Sequence, residues 1–240
     1  MKKLMVVLFL LGMCTVYGAE DLRDLDYTNG TYYRIGDNSK VPYSGDILSY
    51  YSNGKLRTEG KMLGGKRVGE WKSYYDDETL MSSGRYEDGE RVGEWKEYYN
   101  DGNIKSVINY KDGLFEGEAL EYYANGQISV KINYKNGIYD GEWVEYYPDG
   151  GIKEEGQYKD GNRDGYWMTY GIQRDVITKG KYKNGLKDGY WWDIYFYRPR
   201  LSARGNYRNG QRDGTWTDDN TDKGGLYKYG IFIKGNRLEE

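Results

Sequence analysis

Four glutamates, Glu70, Glu94, Glu118 and Glu142, stand in phase along the chain, each 24 residues after the last. Paired carboxylates are the equipment of a glycoside hydrolase, which needs one acid kept protonated beside another that stays ionised. In an antiparallel sheet each two-strand unit advances about 10 Å, close to the separation of an inverting pair. Each glutamate repeats its neighbour's surroundings, however, so nothing drives two of them apart in pKa. The series reads as solvated charge on a sheet face. The chain has no histidine, which removes imidazole acid–base chemistry, nucleophilic triads and ordinary zinc sites. Asp218-Asp219-Asn220-Thr221-Asp222 begins like a calcium loop, but the positions that require Gly and Glu hold Lys223 and Tyr229. It reads as a polar turn. No catalytic residue, metal or cofactor is expected.

A second in-phase set carries a binding reading. Tyr50, Tyr74, Tyr98, Tyr122, Tyr146 and Tyr170 recur once per unit, on the charged face and opposite the tryptophans by strand alternation. They either pack across strands within a thin sheet or form a spaced aromatic platform for a protein or polymer. Interleaved lysines and aromatics also suit single-stranded nucleic acid, but the accompanying glutamates and negative net charge argue against it.

The elements that position these residues follow from the period. Gly69-Glu70-Trp71, Gly93-Glu94-Trp95, Gly117-Glu118-Ala119, Gly141-Glu142-Trp143, Gly165-Tyr166-Trp167 and Gly189-Tyr190-Trp191 are in step, and Gly214-Thr215-Trp216 follows one residue late. A fixed short period means units that stack and bury surface against their neighbours. Within one unit, Gly93 to Tyr99 reads as an aromatic-rich strand, Asn100 to Asn103 as a tight turn with Asp101-Gly102 at two positive-φ positions, and Ile104 to Tyr110 as a second strand. Lys111-Asp112-Gly113 then opens a return loop to Gly117. No helical periodicity competes. The expectation is an all-β, elongated and twisted antiparallel meander of 24-residue hairpin repeats, seven to eight units and on the order of 70–80 Å long.

Alternation puts Trp95 and Tyr99 on one face with Ile104, Ile108 and Tyr110. The same register sets Trp71 opposite Gly84, Trp143 opposite Gly156 and Trp167 opposite Gly180, so that a ring covers a strand glycine. Where Ala119 replaces tryptophan, its opposite residue is Ile132, and volume lost on one strand returns on the other. Trp71, Trp95, Trp143, Trp167, Trp191 and Trp216 are thus the structural anchors. The array is placed at 45–216, with a lead-in cap over 19–44 and a C-terminal cap hairpin over 217–240.

Composition agrees with a thin, half-wet structure: 35 Gly, 29 Tyr and 7 Trp against 3 Pro, with 38% apolar residues. A disordered chain of this polarity would be poor in aromatics. Residues 1–18 read as an export signal. Lys2 and Lys3 precede the apolar stretch Leu4 to Met13, and Val16-Tyr17-Gly18 offers cleavage after Gly18, with Ala19 as the alternative. Ten apolar residues are too few to span a bilayer. Cys14 is the sole cysteine. Leu11-Gly12-Met13-Cys14 partly matches a lipoprotein box, with Met13 where a small residue is needed, so membrane attachment would arise only if Cys14 were lipidated. Removing the leader leaves 33 basic and 38 acidic residues, a net charge of −5, and no disulfide.

The unit Gly-x-Trp-x-x-Tyr-Tyr-x-x-Gly, followed by an aromatic strand ending in Tyr-x-Asp/Asn-Gly, resembles the MORN repeat over about residues 43–216. It is most similar to the bacterial second variant, whose members include YwqK-family antitoxins. The resemblance implies an extended hairpin array, no catalytic residues, and use as a binding or scaffolding surface. The functional expectation is a non-enzymatic, exported protein that binds a protein or an envelope polymer. A toxin-neutralising antitoxin and a cell-wall or glycan-binding module are the alternatives.

Overall fold

A computed structural model describes residues 19–195, 201–218, 225–228 and 231–235. The expected leader over 1–18, Cys14 and most of the Asp218–Asp222 run lie outside the described residues. A short 3-10 turn, Leu22–Asp24, precedes a hairpin of β1 (Leu25–Thr28) and β2 (Thr31–Arg34). The array then runs through β3 (Gly45–Tyr50), β4 (Leu56–Leu63), β5 (Lys66–Tyr74), β6 (Leu80–Glu87), β7 (Glu90–Tyr98), β8 (Ile104–Lys111), β9 (Leu114–Tyr122) and β10 (Ile128–Lys135). It continues with β11 (Ile138–Tyr146), β12 (Ile152–Lys159), β13 (Asn162–Tyr170), β14 (Val176–Lys183), β15 (Leu186–Tyr195), β16 (Leu201–Arg208) and β17 (Gln211–Asp218). Two short strands, β18 (Gly225–Lys228) and β19 (Ile231–Gly235), follow. From β3 onward each strand pairs antiparallel with the next, and no ladder joins β19 back to β3 among the described residues. The sheet is an open meander, as the hairpin period requires.

The two turns of each unit exchange the roles expected of them. In the first, Gly102 alone has positive φ, at 84°, and the loop closes through Tyr99 N–H to Asn103 C=O at 2.8 Å. Asp101 instead accepts the Asn103 amide at 3.0 Å, an Asx contact that only a short polar side chain makes. The two-residue, doubly left-handed turn is the second one, where Asp112 and Gly113 have φ of 50° and 77°. No return loop therefore exists before Gly117. Strand β9 resumes at Leu114, and Gly117 sits within it at φ 76° as a bulge.

The register expected for the core is nonetheless observed. Trp71 pairs with Gly84, Trp95 with Ile108, Ala119 with Ile132, Trp143 with Gly156 and Trp167 with Gly180. A three-residue loop shifts the pairing by one, and a bulge between Glu97 and Tyr98 shifts it back. The cost of that slip is local: Ile104 pairs with Tyr98 and so leaves the tryptophan face for the opposite one.

The seating of the rings corrects the expectation. Each indole covers the glycine of the preceding strand, not its ladder partner. A Cβ on Gly60, Gly84, Gly156, Gly180 or Gly205 would overlap Trp71, Trp95, Trp167, Trp191 or Trp216 respectively. The indole N–H then donates to the carbonyl one residue beyond that glycine: Trp71 to Lys61 at 3.2 Å, Trp95 to Arg85 at 3.1 Å, Trp191 to Lys181 at 2.9 Å. Ile108 needs no such cleared floor, because the residue over it is Ala119. Trp143 is the exception. Ile132 occupies its floor, and its ring leans to Trp167 at 5.4 Å and remains half-buried.

Two ladders of bonds tie unit to unit. The second tyrosine of each doublet donates its phenol to the carbonyl of the first tyrosine of the next: Tyr51 to Tyr74, Tyr75 to Tyr98, Tyr99 to Tyr122, Tyr123 to Tyr146 and Tyr147 to Tyr170, all at 2.6–2.8 Å. At the other edge the turn glycine amide reaches back one unit, as from Gly113 to Arg91 at 3.0 Å and from Gly137 to Phe115 at 2.9 Å. The N-terminal edge is closed by Glu20. Its backbone bonds both ways to β3, through Asp46 C=O and Leu48 N–H, each at 2.9 Å. An exposed strand edge is thereby paired.

Candidate binding faces

The tryptophan face is a continuous file of rings. From Trp71 it passes through Tyr86, Trp95, Tyr110, Phe115, Tyr134, Tyr139 and Tyr158 to Trp167, Tyr182, Trp191, Tyr207 and Trp216, with centroids 4.9–6.2 Å apart. A cation four residues before each seated tryptophan lies over it: Arg67, Arg91, Arg163, Lys187 and Arg212, at 3.9–4.7 Å from the ring centroids. These cation–π lids keep the anchors dry in a one-layer sheet. Phe115 and Tyr139 hold the lid position in the two central units, so the middle of this face is aromatic throughout. The sequence carries this signal as Arg/Lys-x-Gly-x-Trp in phase, a pattern that points to packing over the rings rather than to reactive chemistry.

The opposite face carries the in-phase glutamates and tyrosines. Glu70, Glu94, Glu118 and Glu142 are exposed, and lysines sit among them. Lys96 meets Glu94 at 2.9 Å, and Lys131 bridges Glu118 at 3.2 Å and Glu142 at 3.0 Å. Hydrogen bonds to those two carboxylates raise the Lys131 pKa. The arrangement is a neutralised charge ladder rather than an acid facing a base.

The six platform tyrosines lie in three environments. Tyr50 is 38% exposed at the N-terminal end. Tyr74 and Tyr170 donate to Glu59 at 2.6 Å and Glu155 at 2.5 Å. Tyr98, Tyr122 and Tyr146 are half-buried, and their phenols make no hydrogen bond among the described residues. Each platform tyrosine is paired across the ladder with an aliphatic residue: Tyr98 with Ile104, Tyr122 with Ile128, Tyr146 with Ile152. Tyrosine and isoleucine therefore alternate strand by strand along one side of this face. The aliphatic half of the stripe exists only in the observed register, since a two-residue turn would set Ile104 on the other face.

Burial pushes the Tyr74 and Tyr170 phenols up to about 12, and the bonds they donate to carboxylates add to this. A free phenol ionises near 10. Since the folded pKa lies above the unfolded one, this contribution to stability is complete below pH 10 and is lost as pH rises from about 10 to about 12. Urea unfolding at pH 9 and pH 11 should show a loss that shrinks in the Glu59→Gln, Glu155→Gln variant. An equal loss in both proteins would contradict the assignment.

A family model described as a MORN repeat variant matches residues 43–62, 67–88, 91–112, 115–136 and 139–160. These five segments are MORN repeats of the variant type. Each matched segment from the second on runs from the lid position of one strand, Arg67, Arg91, Phe115 or Tyr139, through its tyrosine doublet and the returning strand. The same indole seat and cation lid continue past the last match, through Trp167, Trp191 and Trp216. No curated protein matches the chain.

Proposed function

We propose that this MORN-repeat protein is a non-enzymatic, exported binding module that engages a protein partner on its tyrosine face. The observation that carries this reading is the stripe of Tyr98, Ile104, Tyr122, Ile128, Tyr146 and Ile152. Three phenols uncommitted to the sheet alternate there with aliphatic side chains, and Ile104 is 37% exposed. Rigid rings with a polar tip, set among apolar side chains, are the composition of a protein-binding surface. MORN repeats commonly serve as protein- or membrane-binding modules and are a non-catalytic repeat. Export rests on the sequence of the first 18 residues. A mature chain beginning at Ala19, read by mass spectrometry of protein from the native envelope, tests it.

Tyr98→Ala with Tyr146→Ala should remove at least nine-tenths of specific partner capture from an envelope extract while the β spectrum is unchanged. Retained capture would dismiss the stripe. Capture of purified wall polymer in place of protein would favour a glycan ligand on the same rings. Loss of a cognate toxin from the captured set would identify the neutralising role that the YwqK resemblance implies.

A further inference from the structure

On the tryptophan face, beneath the 3-10 turn of the N-terminal cap, lies a cavity of about 310 Å³. Four arginines line it: Arg23, Arg57, Arg67 and Arg91. Arg23 is held by Asp21 at 2.6 Å, and Asp21 also takes the Ser49 hydroxyl at 2.9 Å. The other three have no carboxylate partner among the described residues. Arg67 and Arg91 are instead fixed by rings and phenols. Arg67 lies over Trp71 and donates to Tyr86 Oη at 3.1 Å; Arg91 lies over Trp95 and donates to Tyr110 Oη at 2.9 Å.

The repeat supplies its own comparison. Arg163 occupies the same position three units beyond Arg91 and four beyond Arg67, over Trp167, and Glu154 closes on it with two bonds of 2.9 Å. Nine residues before Arg67 and Arg91, where that glutamate would stand, are Thr58 and Ser82. Lys187 has Asp193 at 4.0 Å, and the positions in phase with Asp193 within the cavity are Ser49 and Ser73. For Arg67 both equivalent positions, Thr58 and Ser73, are thus hydroxyls, whereas for Arg91 one is the Ser82 hydroxyl and the other is Glu97. Glu97, the ladder partner of Ser82 at the cavity's border, is drawn to Lys105 at 3.6 Å.

From these juxtaposed guanidinium and hydroxyl groups we infer that the cavity is a binding site for a small soluble ligand bearing a phosphoryl-type oxyanion. Guanidinium forks match tetrahedral oxyanions, and desolvation beside indoles strengthens the match. The volume suits a phosphorylated monosaccharide. The site lies on the opposite face from the tyrosine stripe, so either can fail without the other.

The test is calorimetric titration of the full mature chain with inorganic phosphate and with glucose 6-phosphate. Both should bind saturably, and more weakly as salt is raised. Thr58→Glu with Ser82→Glu reinstates the chain's own Arg163–Glu154 arrangement and should weaken binding at least tenfold without lowering the melting temperature. Arg163→Gln should leave binding unchanged. If the glutamate variant fails to fold, Arg67→Gln with Arg91→Gln replaces it with the same expected loss. Absence of saturable binding by both ligands, or equal affinity in the charge-altered variant, overturns the site. Attachment to phosphatidylglycerol vesicles without binding of either soluble ligand overturns it also.

Discussion

Gly84→Ile should destabilise the array by about 3 kcal/mol, because a side chain there runs into the Trp95 indole, which leaves no room over the strand. Trp95→Ala alone should cost about 3–5 kcal/mol through the cavity it leaves beneath the Arg91 lid. The pair together should cost well under the sum of the two, with a coupling of about 2 kcal/mol or more. The reason is visible one unit along: Ile108 and Ala119, eleven residues apart like Gly84 and Trp95, are that same exchange already made, with Ala119 buried to 3%. Urea unfolding of the four proteins measures the cycle. Simple additivity would mean that Gly84 and Trp95 do not share one space.

Gly65→Ala should release the N-terminal cap. Gly65 has φ 73°, and its Cβ would overlap Thr31 Cγ2 and stand 2.8 Å from the Tyr32 carbonyl oxygen. The same residue accepts the Tyr32 amide at 2.9 Å and donates to the Tyr43 carbonyl at 2.7 Å. A left-handed conformation, a steric overlap and two backbone bonds thus meet at one residue, and losing them should cost the cap about 2–4 kcal/mol. Hydrogen exchange of residues 31–47 should accelerate by at least tenfold while amides of β11 to β14 keep their rates, since a repeat array opens locally. Unchanged exchange at Tyr32 and Gly65 would show that the cap is held elsewhere. An exposed β3 edge in this variant should also favour self-association.

Much of the architecture was legible because the period fixes strand order and the Trp–Gly spacing fixes register. The turn types were not, since Asp-Gly stands in both turns and the dipeptide alone does not say whether Asp lends its φ or its carboxylate. A loop longer by one residue and a bulge cancel, so the core register survived the wrong turn while Ile104 changed face. The direction in which each indole leans was present in the sequence but misread. The thirteen-residue spacing from Trp to Gly fails at Trp95, which meets Ile108. The eleven-residue spacing from Gly to Trp holds for Gly60, Gly84, Gly156, Gly180 and Gly205, and its aliphatic version explains Ile108 with Ala119. Only Ile132 before Trp143 breaks it, and there the ring is displaced.

The tyrosine doublets show the same limit. Sequence phase singled out the first tyrosine of each pair as the one available to a ligand. It could not show that the second spends its hydroxyl on the next unit, because that bond spans 23 residues and depends on how hairpins stack. The arginine cavity was equally hidden. Its meaning lies in carboxylates replaced by hydroxyls at equivalent positions, a pattern that emerges once Glu154 is seen against Arg163.

Proton NMR of the α-hydrogens of Gly60, Gly84, Gly156 and Gly180 reports most directly on whether neighbouring hairpins interlock through their rings. Held face-on against an indole, these hydrogens should resonate far upfield and show Overhauser contacts to Trp71, Trp95, Trp167 and Trp191 respectively. Ordinary glycine shifts, or contacts running instead from Gly84 to Trp71 alone, would contradict the interlocked ribbon.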